Sequence, residues 1–280
     1  MPELPEVETV KRGLAPVMEG RAFTSVQLNR KDIRFPFPQN FVGRLEGVTL
    51  TRLGRRAKFL VAELSSGETL LMHLGMSGRF SIEAGTWPAD SGNTNPKHDH
   101  VVFTMSGDDA PLIIYNDPRR FGFMELLEAG ELGRMAELGP EPLSNSFNGP
   151  ALYGALKTKK APIKSALLDQ RVVAGLGNIY VCEALFTSNI SPLRKSCDLG
   201  EDECETLSAE IKTTLELAIE AGGSTLKDFA GADGALGYFQ HRFKVYGHEG
   251  APCPAPKCSS EITRIKQSGR STFYCPTCQT

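Results

Sequence analysis

At 280 residues, with 40% apolar and 23% charged side chains, the chain has the make-up of a folded globular protein long enough to bury a core without disulfides. Those values exclude intrinsic disorder, a collagen repeat and a coiled coil, and no apolar run reaches the roughly 18 residues of a membrane span. The net charge of −2 hides an uneven distribution. Glu201, Asp202, Glu203, Glu205, Glu210, Glu216 and Glu220 stand against Lys212 alone, whereas Arg44, Arg52, Arg55, Arg56 and Lys58 form one basic stretch and Lys157, Lys159, Lys160, Lys164 and Arg171 another. The tail is basic as well, through Arg242, Lys244, Lys257, Arg264, Lys266 and Arg270. Such clustering suits a nucleic-acid face opposite an acidic back, and equally an ordinary solvated surface. The start, MPELPEVETV, carries acids and no apolar h-region, so a cytoplasmic protein without a signal peptide is expected.

Taken in chain order, Pro5 suits a first helical turn, and Val7, Val10, Leu14 and Val17 recur at helical spacing up to Gly20. Short β-type runs follow at residues 23–28, 48–53, 59–64, 69–74, 101–105, 112–115 and 121–127. Turn signals such as Ser65-Ser66-Gly67 separate them, which predicts a sandwich or barrel. Gly139-Pro140-Glu141-Pro142 reads as a linker. Beyond it the period becomes helical, at 150–157, 163–169, 179–188 and 201–221. A glycine-rich loop, Gly222-Gly223 through Gly237, leads into a cysteine-bearing tail. The segment 83–97, with Trp87 and Pro88, reads as an insertion-prone loop with no assigned role.

Cys253 and Cys258 are spaced C-x4-C, and Cys275 and Cys278 C-x2-C. Two close pairs around a short β-like stretch read as a four-thiolate site for one structural zinc, since so short a tail cannot build its own core. Two disulfides or four unrelated cysteines remain the alternatives, and a reducing cytoplasm argues against the disulfides. Ser268-Gly269 would turn a hairpin between the pairs, with Arg270 next to its tip. Cys182 lies in an apolar helical pattern and reads as a buried structural thiol.

At the other end, loss of Met1 would present Pro2 as a secondary amine, a candidate nucleophile toward an aldehyde or a sugar C1′. The iminium so formed is an electron sink that makes elimination at the next carbon feasible. Glu3 and Glu6 are three apart and can share one side of a first turn. Acids there also suit a plain helix N-terminus.

Together these blocks resemble the formamidopyrimidine-DNA glycosylase family over nearly the whole chain. The resemblance is carried by PELPEVE, GRRAKFL around Lys58, HLGMSGRF around Met76, KHDH around His98 and NDPRRFG around Arg119. It continues in LLDQRVVAGLGNIY around Asn178, GGSTLKDF in the loop and the RSTFYCPTCQ ending. It implies an α+β multidomain protein in three parts: an N-terminal β-sandwich with an N-terminal helix over 1–138, a helix–two-turns–helix domain over 139–240 with a lesion-capping loop at 222–239, and a zinc-finger hairpin over 241–280. The implied activity is bifunctional: excision of oxidised purines such as 8-oxoguanine from double-stranded DNA, then β,δ-elimination by a monomer.

The implied residue roles follow the same blocks. Pro2 would attack C1′, Glu3 would protonate the sugar ring oxygen, Glu6 would hold the terminus, and Lys58 would contact phosphate. The target nucleotide must be flipped out, and Met76, Arg119 and Phe121 would fill the gap it leaves. By pattern alone Met76 and Phe121 would be core residues and Arg119 a loop charge. His98, Asn178, Tyr246 and Arg270 would bind the DNA backbone, while Asn178 by itself suits a helix N-cap. The C-x4-C pair departs from the C-x2-C usual in that family. An endonuclease VIII-type enzyme for oxidised pyrimidines, and a non-catalytic zinc-containing damaged-DNA-binding protein, are the competing readings.

Overall fold

A computed structural model describes residues 1–88, 95–224 and 237–280. Most of the expected lesion-capping loop lies outside them. The chain divides into two compact units, Met1–Ala136 with Gly222–Tyr238, and Glu137–Ala221 with Phe239–Thr280. Among the described residues no helix is long and apolar enough to cross a membrane.

In the first unit, α1 (Leu4–Met18) opens with Glu3 at the N-cap and Pro5 in the first turn. Val7, Val10, Leu14 and Met18 form its buried stripe. The stripe packs with an eight-stranded sheet of order β5-β7-β6-β1-β2-β3-β4-β8. Its strands are β1 (Arg21–Leu28), β2 (Thr49–Arg56), β3 (Phe59–Leu64), β4 (Thr69–His73), β5 (Arg79–Glu83), β6 (Asp99–Met105), β7 (Leu112–Asn116) and β8 (Phe123–Leu127). A short helix, α2 (Phe41–Leu45), joins β1 to β2.

The pairings between these strands are antiparallel, and β1 serves both halves of the sheet. Arg21 and Ala22 pair with β2, whereas Phe23–Leu28 pair with β6, with the register shifting between Phe23 and Ser25. That irregularity bends one strand from the first half into the second. Phe23, Leu50, Leu60, Leu70, Phe80, Phe103 and Ile113 then share a single core, as the sandwich expectation requires. On another face Trp87 packs over Val102, Leu112 and Ile114, and its indole N–H donates to Asp99 Oδ2 at 3.2 Å.

The second unit holds α3 (Gly149–Leu156), α4 (Ile163–Leu167), α5 (Asn178–Thr187) and α6 (Glu201–Glu220), then the hairpin β9 (Thr263–Gln267) and β10 (Arg270–Tyr274). Residues 179–186 of α5 are buried all round. The long α6 turns Cys204, Leu207, Ile211, Leu215 and Ala218 inward and keeps most of its acids at the surface. Ser268 (φ 49°) and Gly269 (φ 76°) turn the hairpin, both in the left-handed region that a two-residue turn of this kind needs. Its Phe273 joins Ile262, Val245 and, from α5, the buried Cys182 and Phe186.

The structure differs from the sequence expectations in several places. The strand β5 and the short helix α2 were not expected. The strand expected over 121–127 begins at Phe123 (β8), which leaves Phe121 in the turn before it. Asn178 is the first helical residue of α5 and Gly177 is its N-cap, because the Asn178 side chain is used elsewhere.

Candidate active site

Pro2 is buried at the entry to α1, and Met1 beyond it is 54% exposed. Glu3 and Glu6 are both buried. They close a capping box: the Glu3 side chain accepts the Glu6 N–H, and Glu6 Oε2 accepts the Glu3 N–H at 2.9 Å. The other Glu6 oxygen, Oε1, accepts the backbone N–H and the hydroxyl of Ser224 at 2.8 and 3.0 Å. One carboxylate therefore ties the N-terminal turn to the start of the glycine-rich loop. Gly223 makes this approach possible: its φ is +79° and a Cβ there would sit 3.1 Å from Glu6 Oε1.

Lys58 is buried at the turn between β2 and β3. Ala57 before it has φ 52°, and its carbonyl accepts from Arg55 Nη1 at 3.0 Å. Arg55 Nε also donates to Glu8 Oε2 on α1, at 3.0 Å. The two side chains are 10% and 12% exposed, so removing either would be a costlier loss than at a surface ion pair, because the charge left behind stays largely shielded from water. Burial alone would raise the Glu8 carboxyl, but hydrogen bonds from Arg12 and Arg55, with Lys11 nearby, outweigh it and hold the group below its usual range. Through Glu8 and Arg55 the helix bearing Glu3 and Glu6 is cross-linked to the turn bearing Lys58.

Met76 lies between β4 and β5, and Arg119 and Phe121 lie between β7 and β8. Met76 is 36% and Phe121 40% exposed, unusual for large apolar side chains. The Arg119 guanidinium lies 5.2 Å from the Phe121 ring centroid. Pattern reasoning would bury both apolar residues; the structure presents them on neighbouring turns, since Gly75 packs directly against the Phe121–Gly122 backbone. His98 is half-buried at the entry to β6.

His73, inside the HLGMSGRF block, was not singled out by the sequence. Its Nδ1 accepts the Gly75 N–H at 2.9 Å, and its ring stacks on Phe123 with centroids 5.2 Å apart. Burial above all, reinforced by Lys58, Arg34 and Arg134 against the opposing Asp117, lowers its pKa to about 4. The unfolded chain takes up this proton near pH 6.5, so the contribution of neutral His73 is fully present above that pH. It is lost as pH falls toward 4, by about 3 kcal/mol in total. Denaturant unfolding measured between pH 7 and pH 4 should show this decline, and His73→Phe should flatten it. Equal slopes for the two proteins would exclude His73 as its source.

In the second unit Asn178 Nδ2 donates to the carbonyl of Ser271 at 2.9 Å, while its Oδ1 is buried without a hydrogen-bond partner. Lys164, only 1% exposed, donates to the same carbonyl at 2.9 Å and to Thr272 Oγ1 at 2.7 Å. Two helices thus grip the backbone next to Arg270, which is exposed at the start of β10. The sequence placed Lys164 only in a basic stretch. Tyr246 is held by Glu183, whose buried carboxylate accepts the N–H groups of Lys244, Val245 and Tyr246 at 2.8–3.1 Å. The Tyr246 ring packs edge-on against Phe273 and Phe243. An isolated acid in the apolar run VCEALF was the one sequence signal for Glu183.

The sulfurs of Cys253, Cys258, Cys275 and Cys278 lie within 4.8 Å of one another. The Cys253–Cys278 and Cys258–Cys275 separations are 3.8 and 3.7 Å. Four thiolates about 2.3 Å from one tetrahedral zinc would be about 3.8 Å apart, so these sulfurs fit that metal. The longer C-x4-C knuckle closes because Lys257 takes a left-handed conformation, φ 64°, just before Cys258.

Comparison with known proteins gives three consecutive matches. Residues 1–124 match the formamidopyrimidine-DNA glycosylase N-terminal domain, 138–230 its H2TH domain, and 250–280 the zinc finger found in FPG and IleRS. The chain belongs to the formamidopyrimidine-DNA glycosylase family. It is 54% identical over 285 residues to the formamidopyrimidine-DNA glycosylase of Dinoroseobacter shibae and 53% over 288 residues to that of Caulobacter vibrioides, each covering 100% of both chains. The crystal structure of MutM (Fpg) from Thermus thermophilus superposes with a TM-score of 0.87 at 39% identity, over 99% of this chain and 98% of that one. A Lactococcus lactis Fpg in complex with abasic-site DNA gives 0.87 at 33% identity, over 100% of both. The glycosylase-family finger carries one structural zinc, and the four-sulfur cluster suits it.

Proposed function

We propose that this chain is a bifunctional DNA glycosylase and abasic-site lyase that removes oxidised purines, 8-oxoguanine and formamidopyrimidines, from double-stranded DNA in base excision repair. The observation that carries this reading is the buried turn Pro2-Glu3-Glu6 in a chain of this family. Removal of the exposed Met1 makes Pro2 a secondary amine. Its lone pair forms a bond to C1′ as the glycosidic bond breaks, and the base leaves with that electron pair and takes up a proton. The Pro2 nitrogen gives up its proton and Glu3 protonates the sugar ring oxygen, so that the nitrogen pair forms the C=N bond as the C1′–ring oxygen bond breaks and the ring opens to the iminium. Loss of a C2′ proton then expels the 3′ phosphate, and a second elimination expels the 5′ phosphate. Hydrolysis of the remaining iminium by water frees Pro2 and releases the sugar fragment as an aldehyde.

Glu6 holds the turn that bears the amine, and Lys58 neutralises phosphate beside the lesion. Met76, Arg119 and Phe121 occupy the gap left by the flipped nucleotide, where a guanidinium can hydrogen-bond the orphaned base. His98, Asn178, Tyr246 and Arg270 bind the DNA backbone; the shared grip on Ser271 supports pairing Asn178 with Arg270. Cys253, Cys258, Cys275 and Cys278 hold the zinc, whose part is to fold the finger. The functional division runs 1–138, 139–240 with the capping loop at 222–239, and 241–280; three matching family domains support it. The enzyme works as a cytoplasmic monomer.

Borohydride trapping on an 8-oxoguanine duplex, with peptide mapping of the adduct, tests the reading. A covalent adduct on Pro2 is expected. Tight binding with no adduct on either 8-oxoguanine or abasic-site duplexes would defeat it, and trapping on thymine glycol alone would favour a pyrimidine enzyme. Arg270→Ala should reduce the slope of log affinity against log salt by about one, the mark of one lost phosphate contact. An unchanged slope would remove Arg270 from the interface.

A further inference from the structure

We propose that Asp117 is a positioning residue for base excision: its buried carboxylate locks the turns bearing Met76, Arg119 and Phe121 into one rigid wedge and thereby sets selectivity for the opposite base. The proposal rests on the reading of those three side chains as gap-filling residues.

Asp117 is 0% exposed. Its Oδ1 accepts the Ser77 hydroxyl at 2.6 Å, and its Oδ2 accepts the Gly122 N–H at 2.9 Å and the Tyr115 hydroxyl at 3.3 Å. Ser77 Oγ in turn accepts the Arg119 N–H at 3.1 Å. Each wedge residue is thus tied to the carboxylate, Met76 and Phe121 through the residue that follows them and Arg119 through Ser77. Met76 precedes Ser77, Phe121 precedes Gly122, and Arg119 is bonded through its own amide. The Asp117 backbone is fixed as well: its N–H donates to the His98 carbonyl at 3.0 Å, and its own carbonyl lies 2.8 Å from His100 Nε2 and accepts the Arg120 N–H at 3.2 Å. Arg120, with φ 57°, shows how tightly that turn is wound.

Packing points the same way. A Cβ at Gly78 or Gly122 would overlap the Tyr115 hydroxyl, and a Cβ at Gly75 would overlap the Phe121–Gly122 backbone. The turns lie backbone to backbone with one phenol between them, and the carboxylate is the acceptor both need. A carboxylate suits this place because it accepts from hydroxyl and amide donors at once without offering a proton of its own. A wedge that must displace a stacked base gains nothing from flexible parts. Ordering them on insertion would subtract from the energy available to hold the nucleotide out.

The test uses the full-length, zinc-loaded protein and a duplex with 2-aminopurine next to 8-oxoguanine, so that fluorescence follows insertion. Asp117→Asn and the milder Ser77→Ala should both slow the insertion phase by about tenfold, the loss of one charge-assisted hydrogen bond. Both should also shrink the ratio of excision opposite cytosine to excision opposite adenine, and slow excision more than strand cleavage at a preformed abasic site. Ser77→Ala keeps the test open if Asp117→Asn fails to fold. Arg119→Ala and Phe121→Ala are the reference variants. If these slow insertion while folded Ser77→Ala and Asp117→Asn keep the parent rate and ratio, the Asp117 proposal is wrong. If the reference variants also keep the parent rate, the gap-filling reading fails and the proposal with it.

Discussion

Glu3→Gln is expected to give a folded protein that still binds lesion DNA but excises 8-oxoguanine about 10² to 10⁴ times more slowly, the usual worth of a positioned general acid. The substitution separates two duties of one side chain. As N-cap, Glu3 accepts the Glu6 N–H, and a glutamine oxygen can accept it equally well, so α1 keeps its start. In its proposed role as acid, Glu3 would carry a proton to the sugar oxygen, and an amide cannot. Single-turnover excision beside a direct binding measurement distinguishes the two. Glu6→Gln should behave differently. Its carboxylate accepts from Glu3 on one oxygen and from Ser224 on the other, so an amide must turn its NH2 toward one of those donors. That variant should lose thermal stability together with activity. A Glu3→Gln enzyme with parent-like excision would exclude the proposed acid.

Stripping the zinc should be equally severe by another route. Apparent binding energies of four-ligand zinc sites are about 10–16 kcal/mol, and in so small a finger this is folding energy. What remains without metal is an apolar patch of Val245, Ile262 and Phe273 against Cys182 and Phe186, too little to hold a hairpin. The expected outcome of chelation is loss of β9 and β10 with the buried helices of the second unit still folded. DNA affinity should fall by about a hundredfold at moderate salt as Arg270 and its neighbours lose their place. Limited proteolysis should then cut within 250–280, and added zinc should restore both protection and binding. A metal-free protein that binds DNA as tightly as before would detach the finger from the interface.

What the sequence made legible was whatever is local or carried by motif. The apolar stripe of α1, the strands with strong alternation, the hairpin turn at Ser268-Gly269 and the cysteine spacing all read directly. The strand β5 escaped because its five residues offer only Phe80 and Ile82 as apolar positions, straight after a glycine turn. Asn178 was misplaced as a cap because its amide is drawn to Ser271, 93 residues away, and no local propensity records that. Met76 and Phe121 resemble core residues by type; only the glycine-packed turns reveal that they face outward. Lys164 and Glu183 escaped as supports because they act through partners 61–108 residues away, and Asp117 because its bond to Ser77 crosses 40 residues. The residues proposed to touch DNA came from motif resemblance, whereas those that hold them in place needed coordinates.

The link between Glu6 and Ser224 spans 218 residues, and this bears on how the protein is made. On the ribosome Pro2, Glu3 and Glu6 emerge first, and Ser224 emerges only after α3, α4, α5 and α6 have been synthesised. Until then the N-terminal turn lacks the Ser224 donors that fix one face of the Glu6 carboxylate. Truncated products ending between Lys58 and Ser224 carry Pro2, Glu3 and Lys58, but not this brace. Completion of the N-terminal turn is thereby tied to near-completion of the polypeptide.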